Sequence, residues 1–209
     1  VERIRIHGFA LEDNLEKNTV DREVFVFLPP GYAKDKRRRY PVVYALHGYS
    51  IGAEQWTKEI HVPQTIEGAV ALGAKEMIVV LPDSKTLHNG SMYSSSATVG
   101  DFENYIARDV VAYIDRHYRT IPNRMSRGLV GHSMGGYGAW HIARRSPGAW
   151  AALGVHAGAL GYDTSELDGS VAVALRDLPT YFVVGTADGL LAVNQAAFAL
   201  LQNAGNPSL

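Results

Sequence analysis

The stretch GLVGHSMGGYGA, residues 128–139, restricts the possible folds of this chain more than any other. A short apolar run ends abruptly at a glycine-flanked serine, Ser133, and a helical pattern of small residues begins at once. In so tight a turn, a Cβ at Gly131 or Gly135 would cause a collision, which explains glycine at both positions. The stretch therefore predicts a strand, a sharp turn with Ser133 at its apex, and a helix.

A Gly-x-Ser-x-Gly pattern between a strand and a helix is typical of a nucleophile elbow. Strained backbone at the apex lifts the serine hydroxyl clear of the strand, where a base and a substrate can reach it. The start of the helix adds free N–H groups and the positive end of its dipole. Gly136, Gly138 and Ala139 are expected to let the helix lie close against the sheet. We interpret Ser133 as a nucleophile.

A serine hydroxyl is a poor nucleophile at neutral pH, so it needs a base, an orienting acid and an oxyanion-binding site. One oxyanion donor is expected to be the backbone N–H of Met134, directly after Ser133. The other is expected in the turn after the apolar run 40–46, where we assign the backbone N–H of Tyr49. The ring of His47 is interpreted as bracing this turn rather than as the base.

Asp188 is the candidate for the acid. It follows the apolar run 181–184 and would lie just beyond the carboxyl end of a buried strand. A helix-capping or turn aspartate would show the same pattern, so that interpretation stays open. Asp163 and Asp168, in the loop after the preceding strand, are weaker candidates.

The alternation of strands and helices favours the α/β class. Besides the strand before Ser133, strands are predicted at 3–9, 20–28, 40–46, 77–81, 151–155 and 180–184. Helices are predicted at 54–72 with a break near Pro63, at 101–118 and at 193–203, with a long polar loop at 82–100. This order predicts a doubly wound, mostly parallel sheet with helices on both faces, whose ligands bind at the carboxyl ends of the strands. The 209 residues are expected to form a single domain, 1–209.

Composition excludes several classes of function. The formal net charge of −1 gives no reason to expect nucleic acid or an anionic membrane as a partner, and the basic run 34–39 is interpreted as a solvated loop. No segment approaches the apolar length of a membrane span. The absence of cysteine excludes disulfides and a thiol nucleophile, and it leaves the compartment open.

Six segments of the chain match one protein family. They are LPPGY (28–32), YPVVYALHGYS (40–50) with Trp56, VVLPD (79–83), DFENYIARDVVAYIDRHYRT (101–120), GLVGHSMGGYGAW (128–140) and VVGTADGL (183–190). With these motifs the chain resembles the esterase D / feruloyl-esterase branch of the α/β-hydrolases, a group that also holds S-formylglutathione hydrolases and mycolyltransferases.

The resemblance implies an α/β-hydrolase fold and a carboxyl-ester hydrolase without metal or cofactor. It also implies a Ser–His–Asp triad, an acyl-enzyme intermediate and a small-molecule ester as substrate. On the matching positions, Ser133 is the nucleophile, Asp188 is the acid, and Met134 and Tyr49 are the oxyanion donors.

One part of the family pattern is missing. In this family the catalytic histidine lies on a loop well after the acid, within a final strand and helix. The printed sequence ends at Leu209 and has no histidine after His156. We therefore expect a C-terminally incomplete domain that lacks this strand and helix, and in which residues 180–184 form an apolar sheet edge.

The missing base has several expected sources. It could come from a partner chain, a separate fragment or a permuted segment, or the sequence could be truncated. Among the histidines present, His156 is the best substitute, because it ends the strand expected beside the elbow strand; a polar residue lining the site is the alternative. His132 is expected to point to the face opposite Ser133, and His141 to point away.

The expected function is that of a serine carboxylesterase acting on an ester with a short-chain or aromatic, feruloyl-type acyl group. Two alternatives stay open. One is a non-catalytic binding or scaffold domain, and the other is an acyltransferase.

Overall fold

The computed structural model describes residues 1–209. The strands are β1 (Glu2–His7), β2 (Asp21–Phe27), β3 (Val42–Leu46), β4 (Ile78–Pro82), β5 (Ser95–Ser96), β6 (Gly100–Asp101), β7 (Arg127–His132), β8 (Ala152–His156) and β9 (Thr180–Val183). The helices are α1 (Gly31–Lys34), α2 (Ala53–Lys58), α3 (Val62–Ala71), α4 (Phe102–Asn104), α5 (Val111–His117), α6 (Met134–Arg145), α7 (Gly169–Ala174) and α8 (Leu191–Asn203). A π-helical stretch, Tyr105–Val110, joins α4 to α5.

Seven strands form the central sheet in the order β1-β2-β4-β3-β7-β8-β9. β2 is antiparallel to both β1 and β4, and every other pair is parallel. The prediction of a doubly wound, mostly parallel α/β sheet with helices on both faces is confirmed. The carboxyl ends of β3, β4, β7, β8 and β9 meet at one edge of the sheet. The antiparallel β2 begins at this same carboxyl edge, where Val24 pairs with Pro82.

The two faces of the sheet are covered unequally. One face packs against α4–α6 and α8 in a core of 33 buried residues. The other holds a cluster of seven buried residues under α2 and α3. On this second face Tyr181 and Val183 of β9 are 57% and 38% exposed. A mostly apolar cavity of about 480 Å³ on the same face is lined by residues of α2, α3, β3, β4 and β7 and by His156 of β8. The second face is therefore open over β8 and β9.

β9 is the last strand of the sheet on its side. The N–H of Leu209 donates to the carbonyl of Thr180 (2.9 Å), and the N–H of Phe182 donates to the carbonyl of Leu209 (2.8 Å). These are the slanted bonds of a parallel ladder. The predicted sheet edge at 180–184 therefore exists, and residue 209 lies along it in the register of a further parallel strand.

The helices agree with the sequence patterns in most places. The predicted break near Pro63 is present: α2 and α3 are separated by His61, which has a left-handed φ of 57°. The short α7 was not predicted, since its six residues carry no clear helical period. No helix of the chain combines the length and the apolar character needed to cross a bilayer.

Candidate active site

Ser133 connects β7 to α6 in a strained conformation. Its φ of 56° and ψ of −114° lie outside the regions that L-residues favour, at a cost of about 1–3 kcal/mol. Three backbone bonds hold it there. Its N–H donates to the carbonyl of His156 (3.0 Å), and its carbonyl accepts from the N–H groups of Tyr137 (3.0 Å) and Ala159 (2.9 Å). The predicted strand, turn and helix are present, with a half-buried serine at the apex.

The glycines around Ser133 are explained by close backbone contacts. A Cβ on Gly131 would lie 1.9 Å from the carbonyl oxygen of Gly135, and a Cβ on Gly135 would lie 2.0 Å from that of Leu46. Backbone atoms cannot yield as a flexible side chain does, so both positions require glycine. One expectation is corrected: Gly138 faces the ring of Tyr93, 2.4 Å from where its Cβ would lie, and not the sheet.

The structure brings the two expected oxyanion donors to the side of Ser133. A Cβ on Gly48 would lie 3.6 Å from the Cβ of Ser133. The side chains of Tyr49 and Met134 both contact Gly90, at 2.7 and 2.5 Å from where its Cβ would lie. The N–H of Met134 belongs to the first turn of α6 and has no acceptor within the helix. The turn that carries Tyr49 therefore lies beside the serine, and the amide of Met134 follows the serine directly.

His47 uses both of its ring nitrogens to hold this turn. The N–H of Ser84 donates to Nε2 (2.8 Å), so the proton is assigned to Nδ1, which donates to the carbonyl of Gly48 (2.9 Å). Complete burial lowers the pKa of His47. The ring is therefore neutral, and this geometry agrees with a bracing role rather than that of a base.

Asp188 lies a few residues beyond the carboxyl end of β9 and is exposed. Its Oδ1 accepts from the N–H of Leu190 (2.8 Å) in the turn that leads to α8. This is the hydrogen bond of a turn aspartate, the alternative noted from the sequence. Burial is the largest cause of the lowered pKa of His132, and the nearby His156 lowers this pKa further. The negative charge of Asp188 acts in the opposite direction. The charge of Asp188 thus reaches His132, and its only side-chain hydrogen bond is the one to Leu190.

The two weaker acid candidates have local roles. Asp163 Oδ1 accepts from the N–H of Ser165 (3.0 Å), and Asp168 Oδ1 accepts from the N–H of Ser170 (2.8 Å). Hydroxyl and amide hydrogen bonds from these serines lower the pKa of each carboxyl. Both aspartates cap short helical turns on the surface.

None of the eight histidine rings forms a hydrogen bond with the hydroxyl of Ser133. His156, the expected substitute, packs its ring edge-on against that of His132, with centroids 4.9 Å apart. Both rings line the open face of the sheet, as expected for His132. His141 is buried between two glutamates. Residues 1–209 thus place no base on the serine.

Tyr93 and Tyr137 belong to the packed interior, whereas Trp56 lines the apolar cavity under α3. Trp56, Tyr93 and Tyr137 are 8%, 0% and 2% exposed. Sequence reasoning also missed Arg22, which is buried on β2 and pairs with Asp83. The pattern DREVFVF gave no signal for it, because an arginine near the start of a strand normally faces solvent.

The fold and the serine elbow define an α/β-hydrolase. Residues 18–207 match the Esterase family model, described as "Putative esterase", and the chain belongs to this family. An endo-1,4-beta-xylanase/feruloyl esterase of Xylanibacter ruminicola is 31% identical over 137 residues, which cover 61% of this chain and 19% of that protein. An esterase of Mycobacterium tuberculosis is 30% identical over 139 residues, which cover 65% of this chain and 28% of that protein. The chain thus spans less than a third of either relative.

Two solved structures share the fold. A ferulic acid esterase superposes with a TM-score of 0.84 at 24% identity, covering 99% of this chain and 87% of that chain. The ferulic acid esterase of Anaeromyces mucronatus in complex with ferulic acid superposes with a TM-score of 0.70 at 22% identity, covering 100% and 80%. The resemblance to the feruloyl-esterase branch of the α/β-hydrolases is confirmed.

Proposed function

We propose that this chain carries the nucleophile, the acid and the oxyanion hole of a serine carboxylesterase. The observation that carries the proposal is Ser133, held at a φ of 56° on the carboxyl edge of the sheet by backbone bonds and by the space that two glycines leave. The family assignment supports ester hydrolysis. The relatives named feruloyl esterases, one of them solved with ferulic acid, support a short-chain or aromatic acyl group.

The mechanism follows from the groups around the serine. Ser133 Oγ attacks the ester carbonyl carbon while a base takes its proton. The N–H groups of Met134 and Tyr49 hold the oxyanion, where one donor is worth about 10²–10³ in rate. The C–O bond to the alcohol then breaks, and the base returns the proton to the leaving alcohol. Water attacks the acyl-enzyme by the same route and releases the acid.

We propose that the base is a histidine outside residues 1–209, on a segment of the same polypeptide or of a partner chain. Three observations support this. No histidine ring bonds to the hydroxyl of Ser133, the second face of the sheet is open over β8 and β9, and Leu209 already lies along the edge of β9. Asp188, exposed at the same carboxyl edge, would orient the imidazole. In this view residues 1–209 form one α/β-hydrolase domain that is incomplete at its C-terminal side.

One alternative has an observation in its favour. Because no base contacts Ser133, residues 1–209 taken alone have the features of a non-catalytic domain. His156 could restore a base only if its ring left that of His132 and turned toward the serine. A His156→Ala variant tests whether His156 is the base, because the substitution abolishes turnover only in that case.

The test compares residues 1–209 with a longer polypeptide that contains them and the segment proposed to carry the base. A fluorophosphonate probe and p-nitrophenyl acetate report on the serine. We expect probe labelling at Ser133 in the longer polypeptide, slower by several orders of magnitude in residues 1–209 alone, because triad members act as a unit. Ser133→Ala should abolish labelling, whereas Ser146→Ala should not. Labelling at another residue, or no turnover by the longer polypeptide either alone or with its partner chain, would contradict the proposal.

A further inference from the structure

Arg22, buried on β2, holds the beginning of the loop that follows β4. Its Nε donates to the carbonyl of Asp83 (3.3 Å), and its Nη1 donates to the carbonyl of Thr19 (3.4 Å). Its Nη2 donates to the carboxylate of Asp83 and to the carbonyl of Lys85. One guanidinium therefore fixes residues 83–85 through several acceptors at once.

From this anchored start, the loop reaches the turn after β3 through three hydrogen bonds. The N–H of Ser84 donates to Nε2 of His47 (2.8 Å), and the N–H of Ser50 donates to the carbonyl of Asn89 (2.9 Å). The hydroxyl of Tyr93 donates to the carbonyl of His47 (3.1 Å). These bonds enclose Gly48 and Tyr49 on both sides. The conformation of the turn thus depends on where the loop lies.

The same loop also contacts Met134, the other residue whose backbone amide is proposed to hold the oxyanion. Gly90 packs against the thioether of Met134 and the ring of Tyr49. The loop closes on itself at this point, since Thr86 Oγ1 donates to the carbonyl of Gly90 (2.8 Å). One loop therefore touches both residues whose amides form the proposed oxyanion hole.

We propose that Arg22 is a positioning residue for the oxyanion hole, acting through residues 83–93 on the amides of Tyr49 and Met134. This rests on the proposed function. The hydrogen bonds of Arg22 go to Thr19, Asp83 and Lys85, and none goes to Ser133. Arginine suits the role because a rigid fork of donors can satisfy a carboxylate and several carbonyls together, whereas lysine is a single point charge.

The test is Arg22→Lys in the longer polypeptide, in a form that turns over p-nitrophenyl acetate. We expect kcat to fall about 10- to 100-fold, less than for complete loss of an oxyanion donor. We expect KM to change less than about 3-fold, because the oxyanion exists only beyond the ground state. The free energy of unfolding is also expected to fall, so the denaturation midpoint is measured alongside kcat and KM.

Arg127→Lys is the matched control. Arg127 pairs with Asp115, both side chains are 16% exposed, and the pair lies at the amino end of β7, away from the carboxyl edge. We expect Arg127→Lys to lose stability as Arg22→Lys does, because each removes an arginine paired with an aspartate. We expect it to keep the wild-type kcat. Equal losses of kcat in the two variants, or an unchanged kcat in Arg22→Lys, would overturn the inference.

A second pair of variants keeps the inference testable if Arg22→Lys does not fold. His47→Gln retains an acceptor for the N–H of Ser84, and His47→Leu removes it. We expect kcat to fall at least 10-fold further in His47→Leu than in His47→Gln, and equal values would overturn the inference. Failure of the proposed function has a different signature, since Ser133→Ala would then keep the wild-type activity.

Discussion

The two sides of Ser133 differ in how completely they are built. On the side of β3 and β4, His47 is buried with both ring nitrogens bonded, and Arg22 anchors the neighbouring loop from the interior. On the side of β8 and β9, His156 and Asp188 are exposed, and the carboxylate makes one bond to its own turn. Residues 1–209 thus complete the side proposed to hold the oxyanion and leave the side proposed for proton transfer open.

This difference follows from what each task requires. An oxyanion hole needs fixed backbone dipoles, and a hydrogen-bond network within the domain can fix them before substrate arrives. Proton transfer needs an imidazole within hydrogen-bond reach of the serine and of the acid. Rigid backbone alone cannot supply proton transfer, because that step needs an imidazole side chain.

The largest effect should come from Asp188→Asn in the longer polypeptide. Asparagine keeps the Oδ1 acceptor for the N–H of Leu190, so the turn should survive. The variant cannot stabilise an imidazolium, and we expect kcat for p-nitrophenyl acetate to fall about 10²–10⁴-fold. The assignment of Asp188 as the acid predicts this loss.

Asp168→Asn is the control for that variant, because Asp168 has a similar capping bond on a different surface. Its kcat should stay within about 2-fold of the wild type. If Asp168→Asn lost activity and Asp188→Asn kept it, the acid would lie after β8 instead of β9, and the comparison of the two sides would have to be redrawn.

The next largest effect should be on folding, from Gly135→Ala. The added Cβ would lie 2.0 Å from the carbonyl oxygen of Leu46, so α6 or β3 must move. We expect the free energy of unfolding to drop by about 3 kcal/mol, at the upper end for overpacking. Urea denaturation followed by circular dichroism measures it.

Gly148→Ala provides the matched substitution, since no atom lies within 4 Å of its added Cβ. Its unfolding free energy should stay within about 0.5 kcal/mol of the wild type. Equal stability of Gly135→Ala and Gly148→Ala would show that the elbow is less tightly packed against β3 than described.

The smallest expected effect is on the pH dependence of stability. It tests whether the buried ring of His47, beside the proposed oxyanion turn, is neutral. The pKa of His47 is lowered in the folded chain from a value of 6.5, so below pH 6.5 the unfolded chain binds more protons than the folded one. Stability contributed by the neutral ring is present above pH 6.5 and is lost as the pH falls. The loss grows as the pH falls below 6.5, and for a single proton it cannot exceed about 1.4 kcal/mol per pH unit.

The His47→Gln variant isolates this contribution. His132 has a pKa shifted in the same direction and is retained, so only the part due to His47 should disappear. Urea midpoints at pH 7.5 and 5.5 in the two proteins provide the measurement. If the variant and the wild type lost equal stability on acidification, His47 would not be held neutral by burial.

Much of the fold could be predicted from residue patterns. The apolar runs gave the strands of the sheet, and Gly131, Ser133 and Gly135 gave the elbow, because both signals are local. The role of Arg22 could not be predicted, because its partners Asp83 and Lys85 lie about sixty residues away, in the loop after β4. The six residues of α7 were too short to show a period.

The sequence alone determined the turn at Ser133, because steric limits within a few residues permit little else there. It also determined that the parallel strands bring Ser133, Tyr49 and Asp188 to one edge. Only the tertiary structure decided that the loop after β4 holds the oxyanion turn, that His47 is neutral and bonded on both nitrogens, and that one face of the sheet is open beside His156. These features depend on burial and on contacts between distant segments, which no local pattern encodes.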